Sequence, residues 1–131
     1  MGSGPDTTAM EMIRVLLVDD QSGVRAGLKM ALSLETDIDI VGEAGDGPQA
    51  LAETALRRPD VVVLDYEMPG MDGPAVIAAL KRSGWNGAVV MLSLHDDAAH
   101  RTSAASAGAY AFVSKSEPCE RLVDQIRAAA I

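Results

Sequence analysis

Val61-Val62-Val63-Leu64 runs without a polar break into Asp65, and Tyr66-Glu67-Met68-Pro69-Gly70 then breaks the run. This stretch constrains the fold more than any other. A short, continuous apolar run between turn residues predicts a strand covered on both faces. Such strands belong to parallel sheets with helices above and below, and the carboxyl edge of such a sheet is where ligands and chemistry gather. Asp65 is therefore expected at that edge, and the remaining strands can be searched for partners to its carboxylate.

The pattern repeats along the chain. Ile13 to Val18 is a second apolar run, ending in Asp19 and Asp20. From Ser22 the period becomes helical, with Val24, Leu28, Ala31 and Leu32 as the inward face of a helix ending near Leu34. Asp37 to Ala44 reads as a short strand. Asp46-Gly47-Pro48 opens a second helix, whose inward face is predicted as Leu51, Ala55 and Leu56 and which stops at Arg57-Arg58-Pro59. After the Val61 strand, Asp72-Gly73-Pro74 opens a third helix with Val76, Ile77 and Leu80 inward. Ala88 to Leu92 is a strand ending at Ser93. Asp96 to Ala107 is an Ala/Ser/Thr helix without a large apolar anchor, closed by Gly108 and expected to pack loosely. Ala109 to Val113 is the last strand, with Lys115 just beyond it. Pro118 opens a final helix, with Leu122, Val123, Ile126 and Ala130 inward. Five strands alternating with five helices predict a doubly wound α/β domain.

Composition narrows the class. The chain has 131 residues, enough for one domain, and 48% hydrophobic content, enough for a core. A formal charge of −8 argues against a nucleic-acid surface on this chain. The single cysteine, Cys119, rules out an internal disulfide and fits a reducing, cytoplasmic setting. No apolar run reaches membrane-spanning length, and no signal peptide is visible. Residues 1–11, beginning Met1-Gly2-Ser3-Gly4-Pro5, read as a leader or an expression-derived flexible segment, leaving 12–131 as the domain.

Parallel strands share one carboxyl edge, so Asp19, Asp20, Asp65, Ser93 and Lys115 are expected to converge. Three close acids need a cation, and an all-oxygen rim suits Mg²⁺, which binds a few carboxylates and accepts phosphate oxygens. A carboxylate beside it can attack a phosphoryl group and form an aspartyl phosphate. Each residue alone has an ordinary reading. Asp19 and Asp20 could cap a helix, Asp65 and Ser93 could be turn residues, and Lys115 could be a solvated surface charge. His95 and His100 lack metal-spaced partners and read as exposed, and Cys119 reads as an inert thiol.

Together with Asp65-Tyr66-Glu67-Met68-Pro69-Gly70-Met71-Asp72-Gly73, this set resembles the receiver domain of two-component response regulators. Val15-Leu16-Leu17-Val18-Asp19-Asp20-Gln21 and Leu92-Ser93-Leu94-His95-Asp96-Asp97 are most similar to the NarL/FixJ subfamily, which carries a LuxR-type helix-turn-helix. The resemblance covers Ile13 to Ala130. It implies a flavodoxin-like fold of strand order 2-1-3-4-5, with Asp65 as phosphoacceptor. Asp19, Asp20, Asp65 and the backbone carbonyl of Glu67 would hold Mg²⁺. Ser93 and Lys115 would meet the phosphoryl group, Phe112 would be the aromatic switch residue, and Glu67, Leu94 and His95 would tune the site. The implied partners are a sensor histidine kinase and, on phosphorylation, a second copy of the chain. DNA would be reached only through a C-terminal helix-turn-helix not present in this chain. The chain would be a switch rather than an enzyme.

The chain departs from the family's pattern in several places. Lys115 is followed by Ser116 where the family commonly has proline after a cis bond. Ser93 stands where Thr is frequent, Phe112 where Tyr is frequent, and Leu94 is large for its position. The rival readings are a haloacid-dehalogenase-type aspartyl-phosphate hydrolase, a flavodoxin and a receiver-like docking module. The first needs a second acid two residues on, where Glu67 stands, and a cap for which the chain is short. The second needs a Ser/Thr/Gly-rich phosphate loop where Asp19 and Asp20 stand.

Overall fold

The computed structural model describes residues 12–131; the expected 1–11 segment lies outside them. Five strands form one sheet: β1 (Ile13–Val18), β2 (Ile38–Ala44), β3 (Val61–Asp65), β4 (Ala88–Ser93) and β5 (Ala111–Ser114). They alternate with α1 (Ser22–Ser33), α2 (Gly47–Arg57), α3 (Gly73–Arg82), α4 (Ala98–Ala107) and α5 (Cys119–Ala129). Every pairing is parallel, as the alternating pattern predicts, and the order is β2-β1-β3-β4-β5, as the resemblance implies.

The sheet divides the core in two because successive strand side chains point to opposite faces. Leu16, Val18, Val62, Leu64, Val89, Met91 and Phe112 meet residues of α2, α3 and α4. Val15, Leu17, Val61, Val63, Val90, Leu92 and Val113 meet Leu32 of α1 and Leu122, Val123 and Ile126 of α5. All of β3 is buried, which is why its sequence does not alternate. Each of its apolar side chains removes about 1.5–3 kcal/mol worth of surface from water.

Local chemistry sets the helix boundaries. Asp46, Asp72 and Asp97 cap α2, α3 and α4 by accepting the backbone N–H groups of Gln49, Ala75 and His100. Pro48 and Pro74 follow in the first turns, where no N–H is missed. Gly108 closes α4 in the left-handed conformation, at φ 109°. The expected thin packing of α4 is present, since Ala104 is its one buried residue.

Several expected positions are corrected. The inward face of α2 is Gly47, Ala50 and Thr54, with Leu51 half-buried, so Ala55 and Leu56 face solvent. Val24 of α1 is exposed, and Leu32 is that helix's one buried residue. Ala130 lies past the end of α5 and is exposed. Helix α4 begins at Ala98 rather than Asp96. β5 begins at Ala111 rather than Ala109, because Ala109 N–H bonds to Ala104 O in the cap of α4.

Thr54 is 2% exposed and its hydroxyl has no hydrogen-bond partner among the described residues. A buried hydroxyl without a partner costs about 1–3 kcal/mol, and valine keeps its branched shape without the polar atom. Thr54→Val is expected to raise stability by about 1 kcal/mol, read as a higher denaturant midpoint at unchanged slope. A lower midpoint would show that the hydroxyl finds a partner in solution.

Candidate functional site

The carboxyl edge of the sheet brings the expected residues together. Asp19 and Asp20 follow β1, Asp65 and Ser93 end β3 and β4, and Lys115 follows β5. Asp19 and Asp65 are buried, at 1% and 2% exposure, while Asp20 is exposed. One oxygen from each of the three carboxylates falls within 4.8 Å of the others. Lys115 Nζ lies 3.1 Å from Asp65 Oδ1 and 3.3 Å from Asp19 Oδ2, so one ammonium serves two buried acids. The backbone N–H of Glu67 also donates to Asp65 Oδ1, at 3.2 Å.

The electrostatics follow from this count. Burial, and then the neighbouring Asp19 carboxylate, push the Asp65 pKa up to about 6, against the opposing pull of Lys115. Burial alone would lower the Lys115 pKa, but Asp65 and then Asp19 outweigh it and raise it above its ordinary value. The pocket therefore holds more negative charge than its own lysine offsets. An all-oxygen donor set with excess negative charge and one acid open to water fits a hard divalent cation such as Mg²⁺. An open depression of about 420 Å³ borders Asp20, lined also by Tyr66, Glu67, Met68 and Pro69, and gives access from solvent.

Ser93 is fully buried. Its hydroxyl donates to Glu67 Oε2 at 2.6 Å and accepts from the backbone N–H of His95 at 2.9 Å. Glu67, two residues past Asp65, thus holds the hydroxyl. Its other oxygen, Oε1, is buried without a partner among the described residues. His100 Nε2 is 4.0 Å from Glu67 Oε2, and its Nδ1 lies 2.7 Å from Asp97 Oδ1. The His100 ring stacks on His95 at 5.0 Å and tilts against Tyr66 at 4.7 Å. His95 is exposed as expected, whereas His100 is half-buried, a correction arising from its place in the first turn of α4 against the His95 and Tyr66 rings.

Phe112 is buried in the face shared with α2, α3 and α4, and the Arg101 guanidinium of α4 lies 4.9 Å over its ring. Arg101 is also paired with Asp96. Leu94 is 69% exposed and lines a groove of about 410 Å³ with Val24, Leu28, Lys115 and Leu122. The described peptides are all trans, Lys115–Ser116 included. Burial, reinforced by Glu120 and Glu35, raises the Cys119 pKa, consistent with an inert thiol.

Sequence reasoning missed the contacts of His100 and Arg101. It also missed Arg25, whose Nη1 donates to the backbone carbonyl of Asp19 and whose Nε donates to Glu43 Oε1 at 3.0 Å. Arg25 stands one turn past the N-cap of α1, a place where many arginines are simply solvated.

The response regulator receiver domain family model matches residues 15–127. The "Probable transcriptional regulatory protein NarL" of Mycobacterium tuberculosis (strain ATCC 25618 / H37Rv) is 39% identical over 88% of this chain and 54% of its own length. The nitrate/nitrite response regulator NarL of Escherichia coli (strain K12) is 32% identical over 92% of this chain and 56% of its own. The chain thus spans about half the length of the curated relatives it matches. Among solved structures, the signal receiver domain of a NarL response regulator from M. tuberculosis superposes at TM-score 0.87 with 38% identity, covering 92% of this chain and 97% of that one. A LuxR-family DNA-binding response regulator from Staphylococcus aureus superposes at 0.85 with 26% identity, covering 92% and 100%. The matched span, the strand order and the relatives agree: this chain belongs to the response regulator receiver domain family, as a receiver of the NarL/LuxR type.

Proposed function

We propose that the domain is a phosphorylation-driven switch in which Asp65 accepts a phosphoryl group with Mg²⁺ bound at Asp19, Asp20, Asp65 and the Glu67 carbonyl. The observation that carries this reading is the pair of buried carboxylates sharing one lysine, with a third carboxylate at the open rim. Bound Mg²⁺ would neutralise charge on the acids and on the incoming phosphoryl oxygens. Asp65 is oriented by Lys115 and the Glu67 N–H, and its carboxylate attacks phosphorus. The P–N bond of a phosphohistidine breaks, and its electron pair leaves with the imidazole nitrogen, which takes a proton from water. Lys115 stays beside the acyl phosphate and meets its oxygens.

The new group brings roughly −1.5 to −2 of charge. Ser93, Phe112 and the thinly packed α4 are the elements poised to respond, since Arg101 of α4 covers Phe112 and His100 of α4 contacts Glu67's surroundings. Glu67, Leu94 and His95 tune this response. The phosphoryl source is a sensor histidine kinase in the cytoplasm, and the readout is a second copy of the chain together with a helix-turn-helix domain beyond it. The haloacid-dehalogenase reading finds no support: Glu67, at the position of its second acid, is occupied with the Ser93 hydroxyl.

Incubation with a small phosphodonor and Mg²⁺ is expected to give one phosphoryl adduct by intact mass. Rapid turnover of phosphomonoesters, or no adduct, would overturn the assignment. Because Glu67 accepts the Ser93 hydroxyl, it competes with the phosphoryl group for it. Glu67→Ala should lower the concentration of beryllofluoride needed for half-saturation about tenfold, consistent with a lost charged hydrogen bond of about 1.5 kcal/mol. An unchanged or higher concentration would show that the two acceptors do not compete.

A further inference from the structure

We infer that Arg25 is a positioning residue for the acidic pocket, and that an irregularity in the sheet exists to hold it in place. This rests on the Mg²⁺ reading above. Strand β2 runs in simple register with β1 from Ile13↔Ile38 to Val15↔Ile40, but the next pair is Leu16↔Gly42, leaving Val41 over. In unbroken register, Glu43 would lie opposite Val18, whose side chain belongs to the face of α2, α3 and α4. The extra residue places it opposite Leu17, which belongs to the face carrying α1 and α5. A one-residue shift moves a side chain to the other face of a sheet, and bulges commonly serve to re-aim one.

On that face Glu43 meets Arg25 and Lys29, which are four residues apart on α1 and so share one side of the helix. Arg25 Nε and Lys29 Nζ each lie 3.0 Å from a different Glu43 oxygen, and the two cations hold its carboxyl below the usual carboxylate range. Arg25 is thereby anchored, and its side chain is 20% exposed. A second guanidinium nitrogen, Nη1, donates to the carbonyl of Asp19. That carbonyl belongs to the peptide plane joining Asp19 to Asp20. Fixing the plane sets the backbone direction at Asp20, the exposed member of the carboxylate triplet. Asp19 is already held from the other side, through Lys115 and through the Gln21 N–H on Oδ1 at 2.9 Å. Asp20 depends on the loop.

The test uses two effects of opposite sign. Removing a cation near an acidic pocket, by charge alone, tightens Mg²⁺ binding. Removing a positioning contact weakens it. Mg²⁺ titration by calorimetry is expected to show Arg25→Ala binding about tenfold more weakly than the parent. Arg25→Lys should fail to restore it, because an ammonium cannot bridge Glu43 and the Asp19 carbonyl as the planar fork does. Glu43→Gln should weaken binding about threefold, and adding it to Arg25→Ala should weaken binding no further. The Asp20 amide resonance should move in metal-free Arg25→Ala while β3–β5 resonances hold their dispersion, which shows the variant folded. Equal or tighter Mg²⁺ binding in Arg25→Ala, with or without a fall in melting temperature, overturns the inference. A parent that binds no Mg²⁺ overturns the function reading beneath it as well.

Discussion

Asp65→Asn is expected to abolish the phosphoryl adduct and, at the same time, to make the metal-free domain more stable. The first half follows from chemistry, since an amide is a far poorer nucleophile toward phosphorus than a carboxylate. The second half follows from burial. Asp65 ionises on the fold only near pH 6, against an ordinary value of 3.8. A carboxyl whose folded pKa is raised favours folding when protonated and loses that contribution as pH climbs through the folded value. At neutral pH the parent therefore holds this carboxylate charged at a cost. The shift corresponds to about 3 kcal/mol at 1.36 kcal/mol for each pH unit. That figure already includes the pull of Lys115, and the asparagine variant gives up part of the gain by leaving the lysine with Asp19 alone. A net gain of about 2 kcal/mol at pH 7 is expected, on the order of 5–10 °C in melting temperature for a chain of this size.

The pH profile separates this from a generic effect. The gain of the variant over the parent should be small near pH 4, should grow up to about pH 6 and should level above it. Added Mg²⁺ should stabilise the parent strongly and the variant weakly, closing the gap. An adduct that persists in Asp65→Asn would remove Asp65 as acceptor. A variant less stable than the parent at pH 7 without metal would mean that the acidic pocket is not under strain.

The second large effect belongs to Lys115. Its ammonium lies between two carboxylates that are almost fully buried, and its own side chain is 14% exposed. Removing one partner of a buried pair leaves an uncompensated charge and costs about 3–5 kcal/mol when burial is complete. For this partly wetted lysine, Lys115→Met is expected to cost about 2 kcal/mol at pH 7 without metal, and less at pH 5, where Asp65 takes up a proton. The same change should tighten Mg²⁺ binding about tenfold, because a competing cation a few ångströms away is gone. Denaturant unfolding with and without Mg²⁺ measures both. Weaker Mg²⁺ binding in Lys115→Met would show that the lysine arranges the acids rather than opposing the metal. The expected opposition between Lys115→Met and Arg25→Ala, two losses of positive charge beside one pocket, distinguishes charge from placement.

The carboxyl edge was legible because parallel strands leave little freedom. Once Val61 to Leu64 is a buried strand, Asp65 must stand at its end, and Asp19, Ser93 and Lys115 follow from their own strands. Helix faces were less legible where apolar residues lie on more than one stripe. In α2, Ala50, Leu51, Ala55 and Leu56 admit two phases, and the observed one buries Thr54 and exposes Leu56. The hold of Glu67 on Ser93 requires knowing that the residue two past β3 folds back under the end of β4. Arg25 could not be found because its anchor depends on a register shift that no pattern in Ile38 to Ala44 announces.

The chain contains one tryptophan. Trp85 sits at the amino edge of the sheet, in the α3–β4 connection, with its indole N–H donating to the Pro59 carbonyl at 2.9 Å. Its fluorescence is thus a built-in reference channel, spatially separated from the acidic pocket by the length of the strands. Emission should follow global unfolding and stay level through Mg²⁺ titration and phosphorylation. Stability and ligand occupancy can then be read independently on the same unlabelled sample.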